Sequence, residues 1–363
     1  MASPVATVAT VATVATINKY PSKSVYCCGV VPIDDLIPLW WGDITGNIST
    51  VSGQNVLTTL CTVEGGAIWG IVPLPDNQVA ICGESVDVCV LRFGGGAGGG
   101  AGGAAAGEIV RTFPTGNSAE TLAMARDPSN PNILATSGEG LIRFFDWTTG
   151  SLVQTKQIRD DRTETKDDLE IYGLRYSPDG NWLAAGCAAG SVYLVPNTGR
   201  SGEVRRFPGH NFAISSLEWI GSDWIVTGGS YDKFVGLWNV EQMSADPLYR
   251  PTLHSGHNDS VNCLAVNCVA VDKQKAVVFS GSSDGTIRRW EFCLPADSAA
   301  SVTSEAIVDL NLVNNLVDSV SDPNRRPGRT DRRDSVDISA MSFDAETQTL
   351  IWGTDGNSYM KVL

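Results

Sequence analysis

Short alternating runs of apolar and polar residues, separated by turn residues, recur along the whole chain. The clearest stretch, "VNCLAV…AVVFSGSSDGTIRRWEF" within 261–292, holds three such runs, with an Asp turn before the last of them. Side chains of a strand alternate between two faces, so this period predicts strands and not helices. The same order occurs in "GHNFAISSLEWIGSDWIVTGGSYDKFVGLWN" at 209–239, which indicates an internal repeat.

Weaker copies of this unit cover most of the remaining chain. Each contains strand-like runs separated by turns such as "SPDG". They lie at 24–51, 66–93, 120–146, 169–195 and 335–363, and with 209–239 and 256–291 they make seven units. Seven such units predict one all-β repeat domain over 1–363 rather than several separate domains.

Residue pairs in two of the units carry a resemblance to a known family. Gly209-His210 and Gly256-His257 open these units, and Trp238-Asn239 and Trp290-Glu291 close them. The pattern resembles the WD-repeat family, specifically in these two units and in degenerate form elsewhere. The resemblance implies a seven-bladed β-propeller of four-stranded antiparallel blades around a central channel.

The resemblance also implies how the ring closes, because propellers of this family complete the last blade with the N-terminal strand. Here the chain stops at "SYMKVL", a third strand without a fourth, and the Val- and Thr-rich "VATVATVATINKY" suits a strand. We therefore expect residues 5–20 to close the ring, as part of a closing strand and lead-in at 1–23.

A structural role for the histidines follows from the same resemblance. In well-formed blades a His, a Ser or Thr, an Asp and a Trp form a buried hydrogen-bonded chain between strands. The matching residues are His257, Ser280, Asp284 and Trp290 in one unit and His210, Asp232 and Trp238 in the other. In the second unit strict spacing places Gly228 at the hydroxyl position, with Thr227 beside it, which leaves open whether this network is complete.

A His, several Ser and an Asp are also the ingredients of a nucleophilic triad. A triad needs an exposed nucleophile on a strained turn and an oxyanion hole, and the one match to G-x-S-x-G, "GSSDG" at 281–285, falls in the Asp turn between two predicted strands and not between a strand and a helix. The set also occurs twice, which a single active site does not explain. We therefore expect no catalytic residues and no enzyme activity.

Two other motifs suggest ligand chemistry but are better explained otherwise. The Gly/Ala segment 94–107 contains G-x-G-x-x-G without the features of a phosphate loop, so we interpret it as a loop insertion. His254, His257, Cys263 and Cys268 have the wrong spacing for a standard zinc site. We expect neither a cofactor nor a metal.

Composition narrows the kinds of partner. A formal net charge of −14 disfavours binding of nucleic acid through its phosphates. The sequence has no apolar run of transmembrane length and no basic targeting sequence at its start, so we expect no membrane insertion. Nine scattered Cys indicate free thiols in a reducing compartment, the cytoplasm or the nucleus.

The resemblance implies that two charged insertions, 159–168 and 313–334, join consecutive blades on the face that carries the Asp turns. Within the second, 320–333 contains Arg325, Arg326, Arg329, Arg332 and Arg333. Two interpretations stay open: solvated loops, or a basic arm that orders on an acidic partner, a phosphopeptide or RNA. RNA is the weaker option because no aromatic residues interleave the arginines. Further candidate partner contacts near turns are Phe212, Tyr231 and Trp224.

The resemblance implies a noncatalytic scaffold for protein–protein interactions, as a subunit of a multiprotein complex. The alternative is a reader of charged or modified peptides, or less readily of RNA, through the top face of the propeller.

Overall fold

A computed structural model describes residues 17–21, 25–30, 39–51, 57–85, 87–93, 107–118, 120–158, 169–267, 275–294, 301–309, 337–344, 348–354 and 357–362. Within these ranges the chain forms seven antiparallel sheets of four strands each. Six sheets use four consecutive strands, and the seventh combines the last three strands with the first. The prediction of an all-β fold with seven four-stranded blades is therefore confirmed.

The strands are three to nine residues long. Strand β1 (Ile17–Pro21) belongs to sheet 7. Sheet 1 comprises β2 (Val25–Val30), β3 (Leu39–Asp43), β4 (Asn47–Val51) and β5 (Leu57–Thr62). Sheet 2 comprises β6 (Ile68–Leu74), β7 (Gln78–Gly83), β8 (Asp87–Arg92) and β9 (Glu108–Pro114). Sheet 3 comprises β10 (Met124–Arg126), β11 (Ile133–Gly138), β12 (Leu141–Asp146) and β13 (Ser151–Gln157).

Sheet 4 comprises β14 (Ile171–Tyr176), β15 (Trp182–Cys187), β16 (Ser191–Pro196) and β17 (Arg205–Pro208). Sheet 5 comprises β18 (Ile214–Ile220), β19 (Trp224–Gly229), β20 (Val235–Asn239) and β21 (Thr252–His254). Sheet 6 comprises β22 (Val261–Asn267), β23 (Lys275–Ser282), β24 (Thr286–Cys293) and β25 (Ser301–Asp309). Sheet 7 adds β26 (Ala340–Asp344), β27 (Thr349–Thr354) and β28 (Asn357–Val362) to β1. Each of the seven repeat units contains the first three strands of its sheet to within two residues.

The core lies between neighbouring sheets. Every residue of the second strands β7, β11 and β27 is buried, because sheets cover both of their faces. Strands buried on both faces require near-continuous runs of small and apolar residues, such as "ILATSG" in β11. The fourth strand lies at the outer edge, and β13 correspondingly exposes nearly all of its residues. Burial thus decreases from the first three strands to the fourth.

The sheets contact one another in a cyclic order. The first strand of each sheet contacts the first strand of the next, and β26 of sheet 7 contacts β2 of sheet 1. At this last junction a Cβ added to Gly353 would lie 2.3 Å from a methyl carbon of Val25. The indole nitrogen of Trp41 also donates to the carbonyl oxygen of Trp352 at 3.3 Å. The first strands of all seven sheets together line a central cavity of about 800 Å³.

The first strand of the described chain completes the last sheet. Strand β1 pairs antiparallel with β28, from Ile17 opposite Lys361 to Pro21 opposite Asn357. The predicted closing segment 5–20 therefore supplies a strand through its last four residues. Residues 5–16 lie outside the described ranges.

The insertions predicted from the sequence lie in connections between strands. The Gly/Ala insertion 94–107 joins β8 to β9, and of it only Gly107 is described. The insertions 159–168 and 313–334 lie outside the described ranges, between β13 and β14 and between β25 and β26. A short helix α1 (Val240–Ala245) follows β20, capped by the side chain of Asn239, which accepts from the Gln242 amide. None of the helices in the described ranges is long and apolar enough to cross a membrane.

Candidate functional site

Two kinds of loop lie at one end of the molecule, and we call this end the top face. In an antiparallel sheet of four consecutive strands, the turn between the second and third strands lies at the end where the first strand begins. The connection from the fourth strand to the next sheet leaves from that same end. His210 and His257 lie in such connections, and Asp232 and Asp284 lie in such turns. The top face thus joins residues that are distant in sequence.

In sheet 6 the four predicted residues form one chain of hydrogen bonds. His257 Nδ1 lies 3.1 Å from Asp284 Oδ2, and His257 Nε2 lies 2.6 Å from Ser280 Oγ. Trp290 Nε1 donates to the same Ser280 oxygen at 2.7 Å. In a neutral imidazole, Nδ1 donates to the carboxylate and Nε2 accepts from the hydroxyl, so each polar group has a partner. The chain links the top-face connection to the second and third strands.

Sheet 5 contains an equivalent chain in which Thr227 supplies the hydroxyl. His210 lies 2.7 Å from Asp232 through Nδ1 and 2.7 Å from Thr227 Oγ1 through Nε2. Trp238 Nε1 donates to Thr227 Oγ1 at 2.9 Å. The network is therefore complete, and Thr227, not the residue at the strictly spaced position Gly228, supplies its hydroxyl.

The spacing differs because the sheet 5 turn is longer by one residue. Four positions separate Ser280 from Asp284, whereas five separate Thr227 from Asp232. The turn adopts left-handed backbone at Tyr231 (φ 54°) and Lys233 (φ 67°), a conformation rare for large side chains. The Tyr231 amide donates to Ser260 Oγ at 3.0 Å, and Lys233 Nζ donates to the Asn258 carbonyl at 2.7 Å. These contacts with sheet 6 hold the turn in place.

The geometry of both networks suits structure and not nucleophilic attack. The side chains of His210 and His257 have 0% exposure, and Ser280 and Thr227 are equally buried. Burial would raise the pKa of the Asp284 carboxyl, but hydrogen bonds from His257, Thr286 and the Asn258 amide outweigh burial and hold the pKa well below its ordinary value. The carboxylate therefore stays ionised, and a substrate has no path to either hydroxyl.

Two exposed aromatic side chains lie together above the sheet 5 network. Phe212 and Tyr231 are 50% and 71% exposed. Their ring centroids lie 5.9 Å apart with planes inclined by 63°, an edge-to-face contact. We call these residues the aromatic pair. Trp224, the third aromatic candidate, lies at the far end of β19 and packs against the apolar cluster between sheets 5 and 6, so the structure does not bring it to the pair.

The remaining predicted residues do not join a site within the described ranges. Arg325, Arg326, Arg329, Arg332 and Arg333 lie outside them. No cluster of three potential metal ligands occurs among the residues that the structure describes. Eight cysteines of the described ranges are free thiols, and burial raises the pKa of Cys82 and Cys263 to about 12. Such thiols are protonated and unreactive.

The residues at the mouth of the central cavity were not predicted from the sequence. Five first strands carry a β-bulge near their beginning, and the extra residue is Tyr26, Trp69, Tyr172, Ser215 or Asn262. The last four of these line the cavity, as does Ser339, which lies at the corresponding place in sheet 7. A signal existed, because "IWG" at 68–70 and "IYG" at 171–173 place an aromatic residue between Ile and Gly in two units.

Comparisons with known proteins agree with this architecture. The family model "WD domain, G-beta repeat" matches residues 162–195, 201–239 and 250–291. Actin-interacting protein 1 of Drosophila melanogaster is 25% identical over 295 residues, which is 69% of this chain and 45% of that protein. Denticleless protein homolog of Danio rerio is 29% identical over 164 residues, which is 44% of this chain and 23% of that protein. The chain thus spans less than half the length of these curated relatives.

The solved structures include a match to the whole chain. A chain in the structure titled "Crystal Structure of Mitotic Checkpoint Complex" aligns with a TM-score of 0.65 at 14% identity, covering 100% of this chain and 97% of that one. At this identity the match speaks for the fold alone. Fold, buried networks and repeat matches together define a β-propeller protein with WD repeats. The chain is a divergent member of the WD-repeat family.

Proposed function

We propose that this chain is a noncatalytic scaffold that holds partner proteins on its top face, as a subunit of a multiprotein assembly. The aromatic pair carries the proposal. Phe212 and Tyr231 present large, rigid apolar surface to solvent, and residues of this kind dominate the energy of protein interfaces. The backbone strain at Tyr231 and Lys233 supports the same conclusion, because strained turns persist where the surroundings hold them and often serve binding.

The scaffold acts by geometry. Sheets packed in a cycle form a rigid body, so loops from different sheets keep fixed positions relative to one another. Partners bound to neighbouring loops are thereby held in a defined arrangement. The free thiols support a cytoplasmic or nuclear site of action, where such thiols stay reduced.

Affinity purification of the tagged chain at physiological salt, followed by mass spectrometry, tests this proposal. We expect stoichiometric partner proteins with the unaltered chain and the loss of at least one of them from the double variant Phe212→Ser/Tyr231→Ser. Leu248→Ser is the matched control, because Leu248 is 78% exposed but lies in the opposite-face connection between β20 and β21. A chain that purifies alone, or a double variant that keeps every partner, would contradict the proposal.

A second candidate function has support from the central cavity. The cavity of about 800 Å³ is large enough for one or two side chains of a bound segment and opens among the top-face loops. A reader of charged or modified peptides would use this opening. RNA has less support, because the net charge of −14 opposes phosphate binding.

A further inference from the structure

The bulged residues divide the mouth of the central cavity into two halves. A bulge inserts one residue into a strand and turns its side chain away from the regular alternation. At sheets 5, 6 and 7 the residue at this position donates a hydrogen bond to a backbone carbonyl of the next sheet or of the connection just before it. Ser215 donates to Val261, Asn262 donates to Ile338 at 3.1 Å, and Ser339 donates to Val25. Small polar side chains on this half therefore join the sheets to one another.

The other half, in sheets 2 to 4, is aromatic and acidic. The bulged residues here are Trp69 and Tyr172, and Leu122 lies just before β10 in sheet 3; all three line the cavity. Trp69 Nε1 instead donates to Glu120 Oε2 at 3.1 Å, and Tyr172 Oη donates to Glu170 Oε2 at 2.6 Å. We call these five residues the acidic arc.

The contacts within the acidic arc fix two carboxylates beside two aromatic rings. A carboxylate that accepts one hydrogen bond keeps further lone pairs for another donor. Tyr172 is 37% exposed, so a ligand at the mouth can reach its ring. A ring face and a carboxylate both attract a cation, the first through the ring quadrupole and the second through charge-assisted hydrogen bonds.

Nearby arginines do not neutralise the negative charge of Glu120 and Glu170. Arg175, three positions below Tyr172 on β14, pairs through Nε with Glu218 Oε1 at 2.7 Å. Arg126 ends β10 and therefore lies towards the opposite end of the cavity. Within the described ranges, the mouth beside Glu120 and Glu170 thus carries uncompensated negative charge.

We propose that the acidic arc binds a Lys or Arg side chain from a partner protein that inserts into the cavity mouth. The long alkyl stem lies along Leu122, which separates the two aromatic–carboxylate pairs, and the charged head meets Glu120 and Glu170. The proposal deepens the peptide-binding function of this face and rests on it. It commits to a cationic peptide segment, which the acidic protein as a whole attracts over longer distances.

Fluorescence anisotropy with labelled hexa-arginine and hexa-lysine peptides at 150 mM salt tests the site. We expect the double variant Glu120→Gln/Glu170→Gln to bind at least tenfold more weakly than the unaltered chain. The double variant Glu203→Gln/Glu241→Gln removes the same charge from exposed positions on the opposite face and should change the affinity less than twofold. Tyr172→Phe keeps the ring but releases Glu170, and should cause an intermediate loss at an unchanged melting temperature.

Several outcomes would overturn the assignment. They are no peptide binding by the unaltered chain, equal losses in both double variants, or preferential binding of hexa-glutamate. A gain of more than tenfold on deleting 320–333 would identify this chain's own arginine segment as the occupant, and not a partner. If partners still co-purify with the Glu120→Gln/Glu170→Gln variant at full yield, the acidic arc fails while the scaffold function stands. If peptides bind as expected but no partner co-purifies, the scaffold function fails instead.

Discussion

At the scale of single residues, the buried networks show that the residue with a given chemical role need not stand at the position that the repeat spacing predicts. The hydroxyl that joins His210 to Trp238 comes from Thr227, one position earlier than the spacing in sheet 6 indicates. One more residue separates the hydroxyl residue from the Asp in sheet 5 than in sheet 6, yet the hydroxyl keeps its place between the His and the Trp. Histidine, Asp and Trp were predictable from their spacing, whereas the turn length was not.

Removing the Thr227 hydroxyl tests how much the sheet 5 network contributes to the stability of the fold. Thr227→Val keeps the shape of the side chain but leaves His210 Nε2 and Trp238 Nε1 without their partner. Each orphaned buried group costs about 1–3 kcal/mol, so we expect a loss of that order in the free energy of unfolding in urea. Thr227→Ser keeps the hydroxyl and should lose less. A Val variant as stable as the Ser variant would show that the network contributes little.

His254 should make stability depend on pH near neutrality. Its ring packs against Phe292 at 5.5 Å between centroids, and its Nε2 has no hydrogen-bond partner among the residues that the structure describes. Burial lowers the pKa of His254 below its ordinary value. The unfolded state therefore binds a proton more readily, so the stability contributed by the neutral ring is complete above about pH 6.5 and falls as the pH drops below that value. Urea titrations between pH 8 and 5.5 should show a shallower pH slope for His254→Leu than for the unaltered chain. An identical slope in both would contradict this assignment.

At the scale of elements, neighbouring sheets pack a β-branched residue, in a first strand or just before it, onto a glycine in the preceding sheet. Gly186 faces Ile214, Gly228 faces Val261, Gly281 faces Ile338 and Gly353 faces Val25. In each case an added Cβ would approach the facing side chain closer than 3.0 Å. Glycine is required at these positions because the strands approach closely, and not because the backbone adopts unusual angles. The sequence shows these glycines at strand ends, but the partner of each becomes visible only when the sheets are placed side by side.

Gly353→Ala tests this packing at the junction of sheets 7 and 1. We expect a loss of about 1–3 kcal/mol in the free energy of unfolding, because Val25 fills the space that the new methyl needs. Gly29→Ala is the control, since no atom lies within 4 Å of an added Cβ there, and it should change stability by less than about 0.5 kcal/mol. The double variant Gly353→Ala/Val25→Ala should lose less than the sum of its single changes. Strict additivity would mean that the two residues do not press on each other.

At the scale of the whole molecule, the pairing of β1 with β28 gives sheet 7 strands from both ends of the described chain. Without β1 the sheet would have three strands and an exposed edge at β28. The repeat count, the seven sheets and the closing strand could be predicted, because each repeat unit signals its own strands. The acidic arc could not be predicted, because a bulge depends on how two strands are paired. In the sequence it leaves only the short "IWG" and "IYG" signals.

Truncation measures what β1 contributes. A chain that begins at residue 22 should melt roughly 5 °C or more below one that begins at residue 17, because several hydrogen bonds of about 1 kcal/mol each are lost and 1 kcal/mol corresponds to about 2 °C. Both chains lack residues 1–16, so the difference isolates β1. Calorimetry that finds equal melting temperatures would show that the pairing adds nothing to stability.

The same pairing has a consequence for synthesis. Pro21 and its partner Asn357 lie 336 positions apart, and a ribosome that adds about 5–20 residues per second needs roughly 20–70 s to pass from one to the other. During that interval β1 has left the exit tunnel and its partner strand does not yet exist. The six sheets made of consecutive strands can form in turn while the nascent chain grows. Sheet 7 is therefore completed only after β28 has been made and has left the ribosome, when the older strand β1 pairs with the younger strand β28.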